Sequence, residues 1–281
     1  MSRKEKVKVI HEGKVKKLWT TEENEKYIIE FKDVVYNHLK DDMVHVEKKG
    51  FYNCHISEKL FDYLDGFMLN THAIHSVDDN KLLVHKTKPV PLVFTIINQA
   101  TSDTAEILNL KEHQTLDNPL VEIRYHDKNS PQNPLQDEEI DSLKFFKEIP
   151  IQSIKHLLLK ADAVLCSYFS RRGLLLYQVK FELGLLDDKP VLIDELTPDV
   201  MVLVERETLA YQGRNAVLHS GKSGLGTYKR IYELLFRELF QPEYEKIKIV
   251  EDIPRDTLAK DYDDDFEGEG DPDIEHELDG E

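Results

Sequence analysis

The feature that most constrains the fold of this 281-residue chain is a pair of apolar runs separated by a short polar turn. The runs span residues 178–184 and 191–199, and the turn spans 186–190. Two such runs around a turn predict a β-hairpin. Pairing of its strands would bring Glu182 and Asp194 close together. Two carboxylates at this spacing suit Mg²⁺ on nucleotide phosphates, although cross-strand ion pairing on a solvated face explains the same pattern.

A second basic segment strengthens the nucleotide interpretation. Lys180 lies two positions before Glu182 and so on the same face of the first strand, where its ammonium can counter a phosphate. Near the N-terminus, two alternating runs flank a turn made of Gly13, Lys14, Val15 and Lys16. The glycine lets backbone approach a phosphate closely, and the lysines add positive charge. A basic surface loop gives the same pattern, so this turn is informative only together with the hairpin.

Taken in order, these segments resemble the SAICAR synthetase (phosphoribosylaminoimidazole-succinocarboxamide synthase) family from about residue 10 to about residue 240. The family's glycine–lysine signature is similar to Glu12–Lys16, and its Lys-Gly-x-x-Asn segment is similar to Lys49–Asn53. Its two acidic motifs are similar to 178–184 and 193–199. The resemblance implies an α+β fold of two lobes, with antiparallel sheets and an ATP cleft between the lobes.

The resemblance also implies a reaction. ATP phosphorylates a substrate carboxylate, an amine attacks the acyl phosphate, and an amide, ADP and phosphate are released. The implied ATP contacts are Gly13, Lys14, Val15, Lys16, Glu182 and Asp194, of which Glu182 and Asp194 also hold Mg²⁺. The implied catalytic residues are Lys180, which neutralises developing charge, and Asp199, which orients the acceptor.

The segment expected to bind a phosphorylated ribonucleotide differs from the family pattern. Ile97 and Gln99 stand where the family has arginines, and Asp103 stands where it has a phosphate-binding serine. A third family arginine falls on Val202. Because a phosphate dianion needs charge-assisted donors, these changes predict a less anionic carboxylate substrate. The predicted substrate pocket consists of Ile97, Asn98, Gln99, Asp103, Thr197, Met201 and Val202.

The residues that match the family's ATP and metal motifs are present, whereas those at its phosphoribosyl motif differ. The sequence therefore favours a divergent ATP-dependent ligase acting on a non-phosphoribosyl substrate in specialised metabolism. Three alternatives stay open. One is a genuine phosphoribosylaminoimidazole-succinocarboxamide synthase of purine biosynthesis that uses other phosphate contacts, such as Arg214 or Lys222. The others are a small-molecule kinase and a non-catalytic nucleotide-binding scaffold. Small-molecule carboxylate and amine substrates are the expected partners, and the oligomeric state, including a homo-oligomer, stays open.

The composition indicates which partners and which cellular compartment to expect. Twelve acidic residues and no Lys or Arg lie between Asp261 and Glu281, and they carry most of the net charge of −17. This composition predicts a disordered tail, either solubilising or in contact with a basic partner. The sequence has no stripe of basic residues outside the N-terminal turn, so nucleic-acid binding is not expected. Without a long apolar run or a signal peptide, and with only Cys54 and Cys166 as cysteines, the chain is expected in the cytoplasm, away from membranes.

The apolar patterns divide the chain into three expected regions. A β-rich nucleotide-binding lobe covers 1–90, an α+β lobe with the metal and substrate site covers 91–250, and the acidic tail covers 251–281. Pro89 and Pro91 suggest the boundary between the lobes. Strands are expected near 7–19, 27–32, 82–86 and 92–97, and helices near 51–64, from 152, and over 226–240.

Overall fold

The computed structural model describes residues 7–37, 40–126 and 133–237, within a compact unit that ends at Glu238. The acidic tail and the side chain of Lys222 lie outside the described residues. The helices are α1 Lys49–Asp65, α2 Ser102–Leu108, α3 Asp137–Leu143, α4 Ile151–Ser170, α5 Gly213–Ser220 and α6 Thr227–Phe236, with a 3₁₀ turn at Gly221–Gly224. The strands are β1 Val9–Glu12, β2 Lys16–Thr20, β3 Lys26–Phe31, β4 Val34–Asn37, β5 Asp42–His45, β6 Ala73–Asp78, β7 Lys81–His85, β8 Lys88–Gln99, β9 Thr115–Tyr125, β10 Leu174–Leu186, β11 Lys189–Ile193, β12 Met201–Glu205 and β13 Tyr211–Gln212.

The first sheet is antiparallel, in the order β1-β2-β3-β7-β6. Helix α1 packs against it through apolar residues on one face, of which Leu60, Phe61 and Leu64 are fully buried. The start of α1 lies very close to the end of β3. A Cβ atom built on Gly50 would lie 2.5 Å from the backbone oxygen of Phe31. Only glycine permits this approach, which fixes where α1 begins.

The second sheet has β10 at its centre, in the order β13-β12-β10-β8-β9. Strand β8 lies along one edge of β10, while β12 pairs with the first half of β10 and β11 with the second half. All of these pairings are antiparallel. Helix α4 contributes the predicted core face, in which Ile154, Leu158 and Leu165 are buried.

The α+β class with antiparallel sheets is confirmed. The hairpin pairs Glu182 with Ile193 and turns at Asp187 and Asp188, whose φ angles of 49° and 63° are those of a type I′ turn. The second strand was predicted to run to Asp199, but β11 ends at Ile193. Asp194 has a φ of 68°, outside the extended region, so the strand cannot continue through it.

Other boundaries differ from the sequence expectation. The proposed lobe boundary near residue 90 lies inside β8, which runs through both Pro89 and Pro91. The division into lobes itself stays a prediction. Helices α2 and α3 and strand β9 were not predicted, because they are short or polar and show little apolar periodicity. Among the described helices, none has the length and apolar character needed to cross a membrane.

Candidate active site

The turn between β1 and β2 forms one wall of a cavity of about 180 Å³. Gly13, Lys14, Val15 and Lys16 line it together with Asp194, which follows β11. The turn is closed by a backbone hydrogen bond from the Gly13 N–H to the Lys16 carbonyl, at 2.9 Å. Two segments far apart in the sequence therefore meet at one cavity.

Lys16 holds the two acids that follow β11. Its Nζ lies 2.5 Å from Asp194 Oδ2 and 2.7 Å from Glu195 Oε1. The left-handed φ of Asp194 turns the chain at this point, and aspartate tolerates that conformation better than most residues. Glu195 is buried, with only 4% of its side chain exposed. The hydroxyl of Thr197 donates to Glu195 Oε2 at 2.5 Å.

This cluster carries more negative than positive charge. Burial opposes the charged ammonium of Lys16, but Asp194 and Glu195 outweigh it and hold the pKa of Lys16 above its ordinary value. Burial raises the pKa of Asp194, with the charge of Lys16 opposing and that of Glu182 adding to the rise. Burial also raises the pKa of Glu195, and the Asp194 charge adds to it against Lys16. One lysine thus faces more carboxylates than it can neutralise.

Glu182 lies on β10 beside this cluster. His126 Nε2 lies 3.3 Å from Glu182 Oε1. A hydrogen bond to Glu182 and its charge raise the pKa of His126. His126 was not identified from the sequence, because a lone histidine after an exposed strand carries no pattern of its own. Among the described residues there is no group of three or more His, Cys, Asp or Glu arranged to hold a metal.

The hard carboxylate oxygens of Glu182 and Asp194, and the excess of negative charge around them, fit a magnesium ion that also binds nucleotide phosphates. Mg²⁺ in proteins is commonly held by one or two carboxylates plus substrate phosphates.

Asp199 lies in a second polar cluster. Lys49 Nζ lies 2.5 Å from Asp199 Oδ2, in an ion pair without a well-directed hydrogen bond. Asn53 Nδ2 donates to the same oxygen at 2.9 Å, and the Tyr228 hydroxyl donates to Oδ1. Lys49, Asn53 and Tyr228 have no exposed surface. Burial raises the pKa of Tyr228, and the Asp199 charge adds to the rise.

The relative placement of two of these partners could be predicted from the sequence. Lys49 and Asn53 are four residues apart, so helical spacing places them on one face of α1. Their contact with Asp199 was not predicted. Tyr228 was not identified as a site residue, because its sequence position is that of an ordinary core residue of α6.

A second cavity, of about 220 Å³, lies beside Asp199. Its charged lining consists of Lys180, Arg214, Asp103 and Asp199. Desolvation within the cleft lowers the pKa of Lys180, and the positive charges of Arg214 and Arg124 lower it further. Two cations therefore face this cavity and repel each other, which favours an anionic ligand.

The predicted substrate residues fall into three groups. Asp103, Met201 and Val202 line the 220 Å³ cavity. Ile97 is buried and borders a neighbouring cavity. The remaining three lie outside the lining of the 220 Å³ cavity: Asn98, Gln99 and Thr197.

Each residue of the last group has a partner elsewhere. Asn98 Nδ2 donates to Asp162 Oδ1 at 2.8 Å, toward α4. Gln99 pairs with Thr115 of β9. Thr197 accepts from the Asp199 N–H at 3.2 Å. Thr197 thus supports Asp199 and the acidic cluster instead of facing the cavity.

The site can be compared with known proteins. The family described as SAICAR synthetase matches residues 9–218, about three quarters of the chain. The chain belongs to the SAICAR synthetase family. This family consists of ATP-dependent carboxylate–amine ligases, so the predicted enzyme class is confirmed.

Two relatives of this SAICAR synthetase family member share a name. The phosphoribosylaminoimidazole-succinocarboxamide synthase of Caldanaerobacter subterraneus subsp. tengcongensis is 30% identical over 207 residues, covering 73% of this chain and 87% of the relative. That of Campylobacter jejuni strain RM1221 is 32% identical over 196 residues, covering 69% and 83%.

Solved structures of SAICAR synthetases share the fold. A type-2 SAICAR synthetase in complex with ADP has a TM-score of 0.75 and 26% identity, covering 82% of this chain and 97% of that chain. The Ehrlichia chaffeensis enzyme has a TM-score of 0.77 at 23% identity, covering 81% and 98%.

Proposed function

We propose that this protein catalyses the phosphoribosylaminoimidazole-succinocarboxamide synthase reaction, joining the carboxylate of a phosphoribosylated aminoimidazole to aspartate at the expense of ATP. The sequence favoured a substrate without a phosphate because family arginines are missing. The observation that supports the phosphoribosyl substrate is Arg214, which lies with Lys180 in the 220 Å³ cavity. The guanidinium of Arg214 supplies charge-assisted donors of the kind a phosphate requires. The name shared by the relatives supports the same substrate.

A further cavity connects the two ends of the proposed site. It has a volume of about 180 Å³ and is lined by Lys14 and Val15 of the nucleotide turn, and by Asp199 and Arg214. Lys14 and Val15 also line the nucleotide cavity, and Asp199 and Arg214 also line the 220 Å³ cavity. A carboxylate bound near Asp199 thus has a route to the terminal phosphate of ATP.

In the proposed mechanism, the turn at 13–16 binds ATP, and Lys16 keeps the acidic cluster in place. Magnesium held by Glu182 and Asp194 would neutralise charge on the phosphates. A substrate carboxylate oxygen attacks the terminal phosphorus and ADP leaves. The amine lone pair then forms the C–N bond as the acyl carbon–oxygen bond breaks, and the ammonium proton passes to the released phosphate.

Lys180 and Asp199 have separate tasks in this scheme. The ammonium of Lys180 stabilises negative charge on the acyl oxygen and phosphate as they separate. Asp199, held by Lys49, Asn53 and Tyr228, is rigid and can orient the acceptor through hydrogen bonds. Rigid support of this kind is needed because small misplacements of reacting groups cost large factors in rate.

The test supplies carboxyaminoimidazole ribonucleotide, aspartate and Mg–ATP, and follows succinocarboxamide formation and ADP release. We expect the two products in equal amounts. Arg214→Gln should raise KM for the ribonucleotide and leave KM for ATP unchanged. Arg171→Gln is the matched control, because Arg171 is an exposed residue at the end of α4 that bonds Tyr63. Absence of product from protein that still binds Mg–ATP would refute the assignment.

A second candidate is ligation of an unphosphorylated carboxylate. Asp103 and Val202 favour it, since they place a negative charge and an apolar side chain in the same cavity. ADP release with unphosphorylated carboxylates and an amine, but none with the ribonucleotide, would establish this candidate in place of the first.

A further inference from the structure

A buried histidine contacts the backbone of the carboxylate residue that follows the β10–β11 hairpin. The Nε2 atom of His72 lies 3.3 Å from the backbone oxygen of Asp194. A carbonyl oxygen can only accept a hydrogen bond, so Nε2 must carry the hydrogen and donate it. His72 is 3% exposed, and in the part of the chain that the structure describes it is not among the residues that line the nucleotide cavity at the turn 13–16. The contact therefore acts on that cavity through Asp194.

The backbone of His72 is held on both sides. Its N–H donates to the Leu192 carbonyl at 2.9 Å, and its carbonyl accepts from the His85 N–H at 2.7 Å. The preceding residue, Thr71, forms a parallel β-bridge with Leu192 and donates to the carboxylate of Asp65 at the end of α1. These bonds connect the segment to β7, to β11 and to α1. Three elements of the fold therefore set the position of the His72 backbone.

The ring of His72 is held by packing in the core. It packs edge-on against Phe61 of α1, with the ring centroids 5.5 Å apart and an angle of 74° between the ring planes. Phe61 has no exposed surface. Close packing of this kind keeps a buried ring in one rotamer. The direction in which Nε2 donates is therefore set by the core and not by the cavity.

The residue that accepts this hydrogen bond has a backbone conformation that needs support. Asp194 has a φ of 68°, and the left-handed region is less favourable than the right-handed one for every residue except glycine. Such conformations persist where the surrounding contacts determine them. The hydrogen bond from His72 holds the peptide that joins Asp194 to Glu195, while Lys16 holds the side chains of both acids. Backbone and side chains of the acidic pair thus have separate supports.

We propose that His72 is a positioning residue for the metal site: its hydrogen bond holds the backbone of Asp194 so that the carboxylate faces the nucleotide cavity. Partners that orient a metal ligand from behind commonly change metal affinity by about 10–100-fold when they are removed. The inference rests on the proposed function, which places magnesium on Glu182 and Asp194. It adds the residue that sets the position of one of these two ligands.

The test compares two amide variants of the full-length protein, His72→Gln and His72→Asn. The side-chain nitrogen of glutamine is as many bonds from Cα as Nε2 of histidine, whereas that of asparagine is closer to Cα and cannot reach the Asp194 carbonyl. Calorimetric titration with ADP, with and without Mg²⁺, measures the effect. His72→Asn should weaken binding of Mg–ADP by about tenfold and that of ADP alone by less than about threefold. His72→Gln should bind Mg–ADP within about threefold of the parent protein.

Phe61→Leu is the matched control for a purely structural role. It loosens the packing around the His72 ring but keeps the N–H donor. Both Phe61→Leu and His72→Asn should unfold at a lower denaturant concentration than the parent protein, because both disturb the same buried region. Only His72→Asn should lose affinity for Mg–ADP.

A second measurement uses the parent protein and does not depend on the folding of a variant. The ¹⁵N NMR spectrum of histidine-labelled protein at neutral pH reports which ring nitrogen carries the hydrogen, and through-bond correlation to the backbone assigns the signal of His72. We expect the tautomer with the hydrogen on Nε2, because only this nitrogen faces the Asp194 carbonyl. The tautomer with the hydrogen on Nδ1 would overturn the proposal, since its Nε2 cannot donate.

Three binding results would also overturn the proposal. They are an equal loss of Mg–ADP affinity in His72→Asn and Phe61→Leu, an equal loss in His72→Asn with and without Mg²⁺, and no recovery in His72→Gln. Failure of the proposed function gives a different pattern. A parent protein whose affinity for ADP does not respond to Mg²⁺ would refute the metal assignment, and this inference with it. Mg²⁺-dependent binding of ADP without turnover of the ribonucleotide would remove only the phosphoribosyl substrate.

Discussion

Lys16 Nζ lies 2.5 Å from Asp194 Oδ2, an ion pair between residues 178 positions apart in the chain. It ties the turn after β1 to the residue that ends the β10–β11 hairpin. The two side chains keep 22% and 26% of their surface exposed, so a ligand can reach them. The turn and the carboxylate are therefore held together by a contact within the protein, which would lower the ordering cost of binding the nucleotide proposed for this cavity.

We expect Asp194→Asn to weaken binding of Mg–ADP by at least about tenfold, because it removes one of two carboxylates proposed to hold the metal. Asparagine keeps the size of the side chain, and it tolerates the left-handed backbone at this position. Calorimetric titration with ADP, with and without Mg²⁺, measures the effect. The loss should be larger in the titration that contains Mg²⁺ than in the one without it.

Asp188→Asn is the matched control for that experiment. Asp188 is an exposed carboxylate in the turn of the same hairpin, paired with Lys147. It also has a left-handed φ, of 63°. Equal affinities for Asp194→Asn and Asp188→Asn would contradict the metal assignment.

Tyr228→Phe should lower kcat by about tenfold and leave KM for ATP unchanged, because it deletes only the hydroxyl that donates to Asp199. It should also reduce the free energy of unfolding by about 1.5–3 kcal/mol, the usual range for a hydrogen bond to a charged group. Tyr232→Phe, one turn later on α6, is the control. Steady-state kinetics and denaturant titration measure the two effects, and unchanged kcat in Tyr228→Phe would show that Asp199 does not need this support.

Local features of the site were predictable from the sequence, and long-range contacts were not. The β10–β11 hairpin and the turn at 13–16 follow from alternation and turn residues, which depend on near neighbours. The pairing of Lys49 with Asp199 joins residues 150 positions apart, and Arg214 enters its cavity only through the packing of α5. Such contacts depend on how the helices and strands pack together, and the apolar periodicity of the sequence does not specify that packing.

The same limit explains the assignment of substrate residues. Sequence order placed Asn98 beside Ile97 in the predicted pocket. Because side chains alternate across a strand, neighbours on β8 face opposite sides of the sheet. Ile97 therefore borders a cavity while Asn98 faces α4.

Asp162 provides a test by pH. It is 2% exposed, and burial raises its pKa to about 6, against hydrogen bonds from Asn98 and Cys166 that lower it. A carboxyl whose folded pKa is raised contributes stability below its unfolded pKa, and this contribution is lost as pH rises through about 6. Asp162→Asn removes the ionisation. Its stability relative to the parent protein should therefore increase by about 2 kcal/mol from about pH 4.5 to about pH 7.5.

Denaturant titration at the two pH values gives that difference directly. Asp117→Asn, at an exposed position in β9, is the control and should show the same stability difference at both pH values. A pH-independent difference for Asp162→Asn would mean that Asp162 stays ionised in the folded protein across this range.

Gly50→Ala should reduce the free energy of unfolding by about 1–3 kcal/mol, the cost of overpacking, although alanine ordinarily favours a helix over glycine. The added methyl would meet the Phe31 carbonyl at 2.5 Å, so α1 must shift away from β3. Because Lys49 and Asn53 lie on the same helix, activity should fall as well. Gly226→Ala is the control, since no atom beyond its chain neighbours lies within 4 Å of the place its Cβ would occupy. Equal stabilities of the two variants would contradict this account.

Strand β10 carries Gln178, Lys180 and Glu182 at successive positions on one face, so the acceptor end and the nucleotide end of the site are parts of a single backbone segment. Adjacent members of this series are separated by about 6.6–6.8 Å along the strand. The spacing of the three side chains along the strand is therefore set by covalent geometry. In the proposed function, substrate preference can then change through neighbouring side chains while the spacing of Lys180 and Glu182 is preserved.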